Sequence, residues 1–303
     1  MLNTAALRGA LGGLLDRTDV AARVAADPVR YPRRYARRED REVVALLSAL
    51  LAFGRVAAFT PKLEALLARL GPRPADLIRG GDPEALARGF VHRWVREEEL
   101  ARLLSGVQAT LGVKGSLGAA FRSAAEGGGG ARAVLARFRS LVASRAGPGR
   151  PSRAFEAFFP DPSRGSACKR GNLFLRWLVR PDDGVDLGLW SAPRFGPADL
   201  VVPLDAHVAR ISRYLGLTRR AAPDWRMAEE VTGALRAVDP ADPVRYDFAI
   251  CHLGMSGDCP TRLVRSRCAR CPLLGVCRRG ARAARSRARR GCARALNDKY
   301  ASI

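Results

Sequence analysis

The chain has 303 residues, of which 48% are hydrophobic and 27% charged, and it carries a net charge of +23. That composition fits a folded globular protein, and no apolar run approaches the ~20 residues needed to span a bilayer. So large a basic excess points to polyanionic partners, nucleic acid first, and no basic amphipathic helix favours a membrane surface instead. The first residues lack a basic segment followed by a long apolar core, so the expectation is a cytoplasmic, nucleoid-associated monomer without a secretory signal.

Residues 1 to about 26 read as one helix, with Leu2, Leu7, Leu11, Leu14 and Leu15 at helical spacing. Residues 27–38 form a basic connector broken by Pro28 and Pro32, read as a solvated linker whose tyrosines could touch DNA. From Asp40, the run Glu42 to Phe53 is apolar nearly all round and belongs at the centre of a domain. Pro61, Gly71-Pro72, Pro74 and Gly80-Gly-Asp-Pro83 mark short connections between further helices at 63–70, 84–90 and 97–111. A glycine run follows Glu126, then a helix at 131–145, a breaker at 147–151 and a short helix at 154–159. Later helices follow Asp205, with Gly216 near the end of that first one, and lie at 225–238 and 246–255. Residues 185–202 are an irregular loop carrying Trp190, read as a packing residue rather than a base-stacking wall. No run alternates convincingly enough to be a strand, so the fold class is all-α. From Arg278 the chain enters an arginine-rich tail, 279–303, suited to sequence-independent phosphate contact.

Between the helices at 154–159 and 172–179 lies Arg164-Gly-Ser-Ala-Cys-Lys-Arg-Gly-Asn172. Only four of the 52 basic residues are lysine, and Lys169 is one of them. An amine can shed its proton and act as a nucleophile where a guanidinium cannot. Ser166 is placed to cap the helix, putting Lys169 in its first turn, where the helix dipole and Arg170 disfavour the ammonium form. The alternative is an ordinary surface cation near a helix start.

Four of the seven cysteines cluster as Cys259-x8-Cys268-x2-Cys271-x5-Cys277. In a cytoplasmic chain such bunching argues for metal ligation over disulfides. The close pair followed by a third cysteine suits an iron–sulfur loop, with zinc as the alternative.

Together these pieces resemble the helix-hairpin-helix DNA glycosylase superfamily, whose familiar member is endonuclease III. Lys169-Arg-Gly-Asn172-Leu-Phe-Leu matches the family's pattern for its nucleophilic lysine. Pro203-Leu-Asp205-Ala-His207-Val-Ala-Arg210 matches the motif of its essential aspartate. The cysteine spacing matches its iron–sulfur loop except for a first gap of eight rather than six. Two departures stand out. The phosphate-gripping Gly-x-Gly hairpin is represented only by Arg164-Gly165-Ser166, and the 36-residue interval from Lys169 to Asp205 is nearer to that of archaeal 8-oxoguanine glycosylases. More narrowly, Gly-Ser-Ala-Cys-Lys-Arg with Val-Asp-Leu-Gly-Leu-Trp190 is similar to a little-characterised bacterial family within the superfamily.

The resemblance implies a two-lobed helix-hairpin-helix glycosylase fold with a C-terminal four-cysteine metal-cluster loop. A six-helix domain, 36–190, would carry the hairpin and Lys169; residues 1–35 plus 191–278 would form the second lobe, with Asp205 and the cysteines. It further implies a base-excision glycosylase, with or without AP lyase activity, in which Lys169 and Asp205 are catalytic. Arg164, Gly165, Ser166, Arg170 and Arg210 would bind DNA, and Cys259, Cys268, Cys271 and Cys277 would hold a 4Fe–4S cluster. Asp205 also suits a plain helix cap, and His207 a supporting rather than catalytic place. A non-catalytic DNA-binding protein on the same scaffold and a zinc-stabilised RNA-binding protein are the competing readings.

Overall fold

A computed structural model of the chain describes residues 3–146 and 149–280. Over these residues the protein is all-α, with three isolated bridges and no strand. None of the helices described is long and apolar enough to cross a membrane. The expected basic tail lies outside the described residues except for Arg279 and Gly280, and so does Cys292.

The N-terminal segment forms two helices, α1 (Thr4–Asp16) and α2 (Val20–Ala26), where the leucine spacing predicts one. Thr18 Oγ1 donates to the Leu14 carbonyl at 2.8 Å, and Asp19 accepts the Ala22 amide at 3.0 Å. A hydroxyl thus closes the first helix and a carboxylate caps the second. The stretch at 27–38 is not a solvated linker either. Its prolines start two 3₁₀ turns, Pro28–Arg30 and Pro32–Arg34, and Tyr31 between them is buried beneath the guanidinium groups of Arg30 and Arg34. Arg34 is itself held by both oxygens of Glu64, at 2.7 and 2.9 Å.

α3 (Arg38–Leu51) is buried at every position from Glu42 to Leu51, as its apolar sequence predicts. Each fully buried leucine there contributes about 1.5–3 kcal/mol. Its buried carboxylates have partners: Asp40 accepts the Ala75 amide at 2.9 Å, and Glu42 accepts the Gly118 amide at 3.0 Å. There follow α4 (Val56–Leu70), α5 (Pro74–Gly80), α6 (Pro83–Ala87), α7 (Glu97–Lys114), α8 (Leu117–Glu126), α9 (Gly130–Ala143), α10 (Arg153–Phe158) and α11 (Lys169–Val179). From α3 to α11 there are nine described helices, not six, because α5, α6 and α10 are one- or two-turn pieces. Pro61 sits inside α4 rather than between helices. It forfeits one amide donor early in the helix without ending it.

α3 packs against α4, α5, α8 and α11, while α7 packs against α5, α6, α8, α9 and α10. The loop after α11 is irregular, as expected, yet it is part of the core. Its Leu187 and Trp190 amides donate to the Trp177 and Leu178 carbonyls, both at 2.7 Å, satisfying acceptors that the helix end leaves open. Trp190 is a packing residue: it is buried, stacked on Phe121 at 4.7 Å, edge-on to Phe174, and donates to Glu42 at 2.9 Å. The later described helices are α12 (Ala206–Leu215), α13 (Trp225–Arg236), α14 (Asp247–Met255) and α15 (Arg265–Ala269). α14 packs against α12 and α1, and one continuous apolar core joins them to α3 and α11.

Candidate active site and cysteine loop

The connection from α10 to α11 is tight. A 3₁₀ turn, Pro162–Arg164, ends at Gly165 with φ +85°, a conformation that glycine adopts at little cost. Ser166 Oγ accepts the Cys168 amide at 3.2 Å, so it closes a turn ahead of the helix rather than capping it. Cys168 takes the cap position with φ +43° and offers no side-chain cap, leaving Lys169 as the first helical residue. Burial pushes the Cys168 thiol up to about 11. Asn172, also buried, donates to the Ala167 carbonyl at 3.0 Å and ties the turn to the helix.

Lys169, Leu173 and Arg176 recur along one face of α11 and line a cavity of about 170 Å³. Asp205 and His207 enter it from the start of α12, and Asp247, Phe248, Cys251, His252 and Met255 from α14. Asp27 and Gly54 contribute from connecting turns. The two candidate catalytic residues therefore share one cavity. Asp205 is indeed the α12 cap, its Oδ1 accepting the Val208 amide at 2.7 Å. Its Oδ2 accepts from the Cys251 thiol at 3.1 Å. The two helices approach closely at Gly254, where a β-carbon would lie 2.7 Å from Cβ and Nδ1 of His207.

Below the cavity runs a buried ionic chain. Arg176 contacts Asp186 at 3.1 Å and Asp247 at 2.9 Å, and Arg180 pairs with Asp186 and, at 2.7 Å, with Asp242. Burial pushes the Asp186 and Asp247 carboxyls up to about 6, opposed by the two guanidinium groups. His252 is buried with Nε2 lying 3.6 Å from Asp27. Asp27, Arg176, Asp247, Cys251 and His252 are not among the candidates read from the sequence. A usable signal exists in the four-residue spacing of Asp247, Cys251 and Met255, which places them along one helix face.

The residues expected to bind DNA divide. Arg164 has 69% of its side chain exposed and pairs with Glu156 at 3.3 Å, Gly165 accepts the Trp225 amide at 3.0 Å, and Ser166 bridges to Asp224. Arg170 and Arg210 instead point into the protein. Arg170 donates to the Leu50 carbonyl at 2.8 Å and to that of Ala157, and burial lowers its guanidinium to about 10. Arg210 donates to the Cys259 carbonyl at 2.7 Å and approaches His207 Nδ1 at 3.4 Å. Both brace the protein in this structure through these contacts.

A family model described as "Protein of unknown function (DUF2400)" matches residues 27–256. The chain belongs to the DUF2400 family. No curated protein and no solved structure matches it. Every residue lining the cavity, from Asp27 to Met255, lies within the DUF2400 span, whereas the four clustered cysteines lie beyond its end.

Those cysteines, Cys259, Cys268, Cys271 and Cys277, all line a second, smaller cavity of about 30 Å³, together with Tyr214, Leu263 and Leu274. All four are free thiols and half-buried. Burial raises the Cys259 and Cys271 thiols above their ordinary range. Arg210 Nη1 lies 3.8 Å from the Cys259 sulfur, and the Gly280 amide donates to the Cys277 sulfur at 3.4 Å. Arg279 holds the loop by donating to Tyr214 Oη and to the Thr261 carbonyl, both at 2.6 Å. Among the described residues, no group of three or more His, Cys, Asp or Glu side chains is arranged to hold a metal ion. The donor set nonetheless suits a thiolate-ligated group, since four cysteines line one space with cationic and amide donors directed at two of their sulfurs.

Proposed function

We propose that this DUF2400 protein is a DNA glycosylase that acts on a flipped base, with the residues of the α11–α12–α14 cavity as its active site. The observation that carries this reading is the convergence of Lys169 and Asp205, from the first turn of one helix and the cap of another, on one cavity. The net charge of +23 supplies sequence-independent attraction to the phosphate backbone. The α10–turn–α11 unit would be the hairpin motif of a two-lobed fold, with the cavity between lobes.

A glycosidic carbon is unreachable inside stacked DNA, so the nucleotide must leave the helix. Lys169, as the free amine, attacks that carbon: the nitrogen–carbon bond forms as the bond to the base breaks, and the base departs with the bonding electrons. Asp205 stabilises the cationic sugar that develops and takes up the proton lost by the amine. The sugar is then an aminal; its C1′–O4′ bond breaks, Asp205 passes the proton to the ring oxygen, and the open-chain Schiff base that forms is the branch point to AP lyase chemistry.

Cys259, Cys268, Cys271 and Cys277 would hold an iron–sulfur cluster. They line one space, and the close pair followed by a third cysteine favours a multi-iron group over zinc. Bound there, the cluster would fasten the loop, and no step of the reaction is assigned to it.

Borohydride reduction with an abasic duplex tests the chemistry. Wild type should give a covalent protein–DNA adduct. Lys169→Arg should bind the duplex equally well and give none, because guanidinium stays protonated. An adduct that persists in Lys169→Arg would move the nucleophile elsewhere. Absence of adduct and of base release across a panel of damaged bases would leave a DNA-binding protein without the reaction.

A further inference from the structure

Asp205 has one oxygen committed to its helix and one facing the cavity. A carboxylate fixed only through Oδ1 can still rotate its second oxygen away from the site. The group that meets Oδ2 is the Cys251 thiol, at 3.1 Å. Cys251 lies on α14, far in sequence from Asp205, and also lines the cavity. Its only other polar neighbour among the described contacts is the Met255 sulfur, at 3.6 Å, a much weaker acceptor than an ionised carboxylate.

We propose that Cys251 is a positioning residue, whose protonated thiol donates to Asp205 Oδ2 and, with the Val208 amide on Oδ1, fixes the plane of the carboxylate at the cavity. The assignment of a reaction to that carboxylate rests on the glycosylase reading; the thiol–carboxylate contact does not. A carboxylate oxygen accepts more than one donor, so Oδ2 keeps capacity for the developing positive charge.

The surroundings keep the thiol in its donor form. Burial and the negative charge of Asp205 raise its pKa well above the ordinary value, opposed by Lys169. The other charged or titratable groups around the cavity are Arg176 from α11, Asp247 and His252 from α14, Asp27 from the N-terminal side and His207 from the helix of Asp205 itself. None of these makes a hydrogen bond to Asp205. The thiol is thus the one side-chain donor on that carboxylate among the described residues. A cysteine that merely filled apolar space would be replaceable by alanine or valine with little change at Asp205.

Two measurements decide the matter. The infrared S–H stretch of Cys251, isolated as the difference between wild type and Cys251→Ser, should lie at the low frequency of a thiol bonded to a carboxylate. It should move upward in Asp205→Asn, whose neutral amide oxygen is a weaker acceptor. A band at the free-thiol position, unmoved by Asp205→Asn, overturns the proposal. In the second measurement, the rate of borohydride trapping on an abasic duplex should fall roughly tenfold in Cys251→Ala, the scale of losing one hydrogen bond to a charged group. Cys251→Ser, which keeps a donor, should recover most of that rate. A wild-type rate in Cys251→Ala, with Asp205→Asn strongly slowed, removes the positioning role and leaves the glycosylase reading standing. No trapping and no base release by wild type removes the glycosylase reading, and the infrared band then decides the thiol–carboxylate contact by itself.

Discussion

In the α11–α12–α14 cavity, charged side chains are held by one another and by helix ends: Asp205 by an amide and a thiol, Asp247 and Asp186 by Arg176 and Arg180. In the cysteine loop, arginines grip main-chain carbonyls, and the sulfurs meet few donors of their own. The first arrangement is complete without a ligand, its geometry set by packing and buried ion pairs. The second has scaffolding but no internal reason for four thiols to share a space. On the proposed reading, the first is the preorganised site of the reaction and the second is the loop that a cluster would fasten.

The sharpest way to break this contrast is to open the ionic chain. Arg176→Met should cost about 3–5 kcal/mol in chemical denaturation, since it strands the Asp247 charge in the interior and leaves Asp186 to Arg180 alone. A loss under about 1 kcal/mol, of the size expected at an exposed pair, would show that the cavity floor is not held this way. Next comes Asp205→Asn, which keeps a capping side chain and should therefore fold. Its trapping rate should fall on the order of 100- to 1000-fold, the usual cost of one preorganised electrostatic group.

The pH dependence separates the two regions. Asp186 and Asp247 are held up to about 6, above the ~3.9 of an unfolded aspartate, so the folded state keeps protons that the unfolded chain releases. Their contribution is greatest below about pH 4 and declines as pH rises to about 6. The stability of wild type relative to Asp247→Asn should therefore shrink across that window and level off above it; a gap that widens with pH contradicts the burial. The loop thiols Cys259 and Cys271, raised by burial, add nothing there. Cys271→Ser should lower the melting temperature by several degrees and bleach any iron–sulfur absorbance of anaerobically purified protein, while trapping on an abasic duplex survives. Colourless wild type carrying one zinc would assign the loop to zinc instead. The smallest effect is expected for Trp190→Phe, about 1 kcal/mol, because Glu42 loses one donor and keeps Gly118.

Much of this frame is readable from the sequence for local reasons. Asp205 and Gly216 bracket α12, and the all-apolar run of α3 announces a central helix, because caps and burial patterns act within a few residues. The division of α1 from α2 is not readable by the same means, since Arg17-Thr18-Asp19 contains neither glycine nor proline and breaks the helix through side-chain hydrogen bonds. α8 likewise has its cap in plain view at Ser116, overshadowed by the glycine run that follows. In the site, Lys169 and Asp205 stand out through their motifs. Cys251 and His252 do not, because their importance depends on which helix α14 packs against. The inward contacts of Arg170 and Arg210 are hidden for a related reason: charge is visible in a sequence, and the carbonyls that receive it are not.

Gly254 sets a tolerance for the whole arrangement. A β-carbon there would run into His207, so a hydrogen in place of a methyl is what lets α12 and α14 come within reach of each other. The helices behave like two plates separated by a shim, and thickening the shim lengthens every span across the gap. A larger residue at 254 would leave each polar group of the cavity chemically intact while pulling the carboxylate and the thiol out of register. The geometry of the cavity is therefore open to detuning from a position that offers it no polar side chain at all.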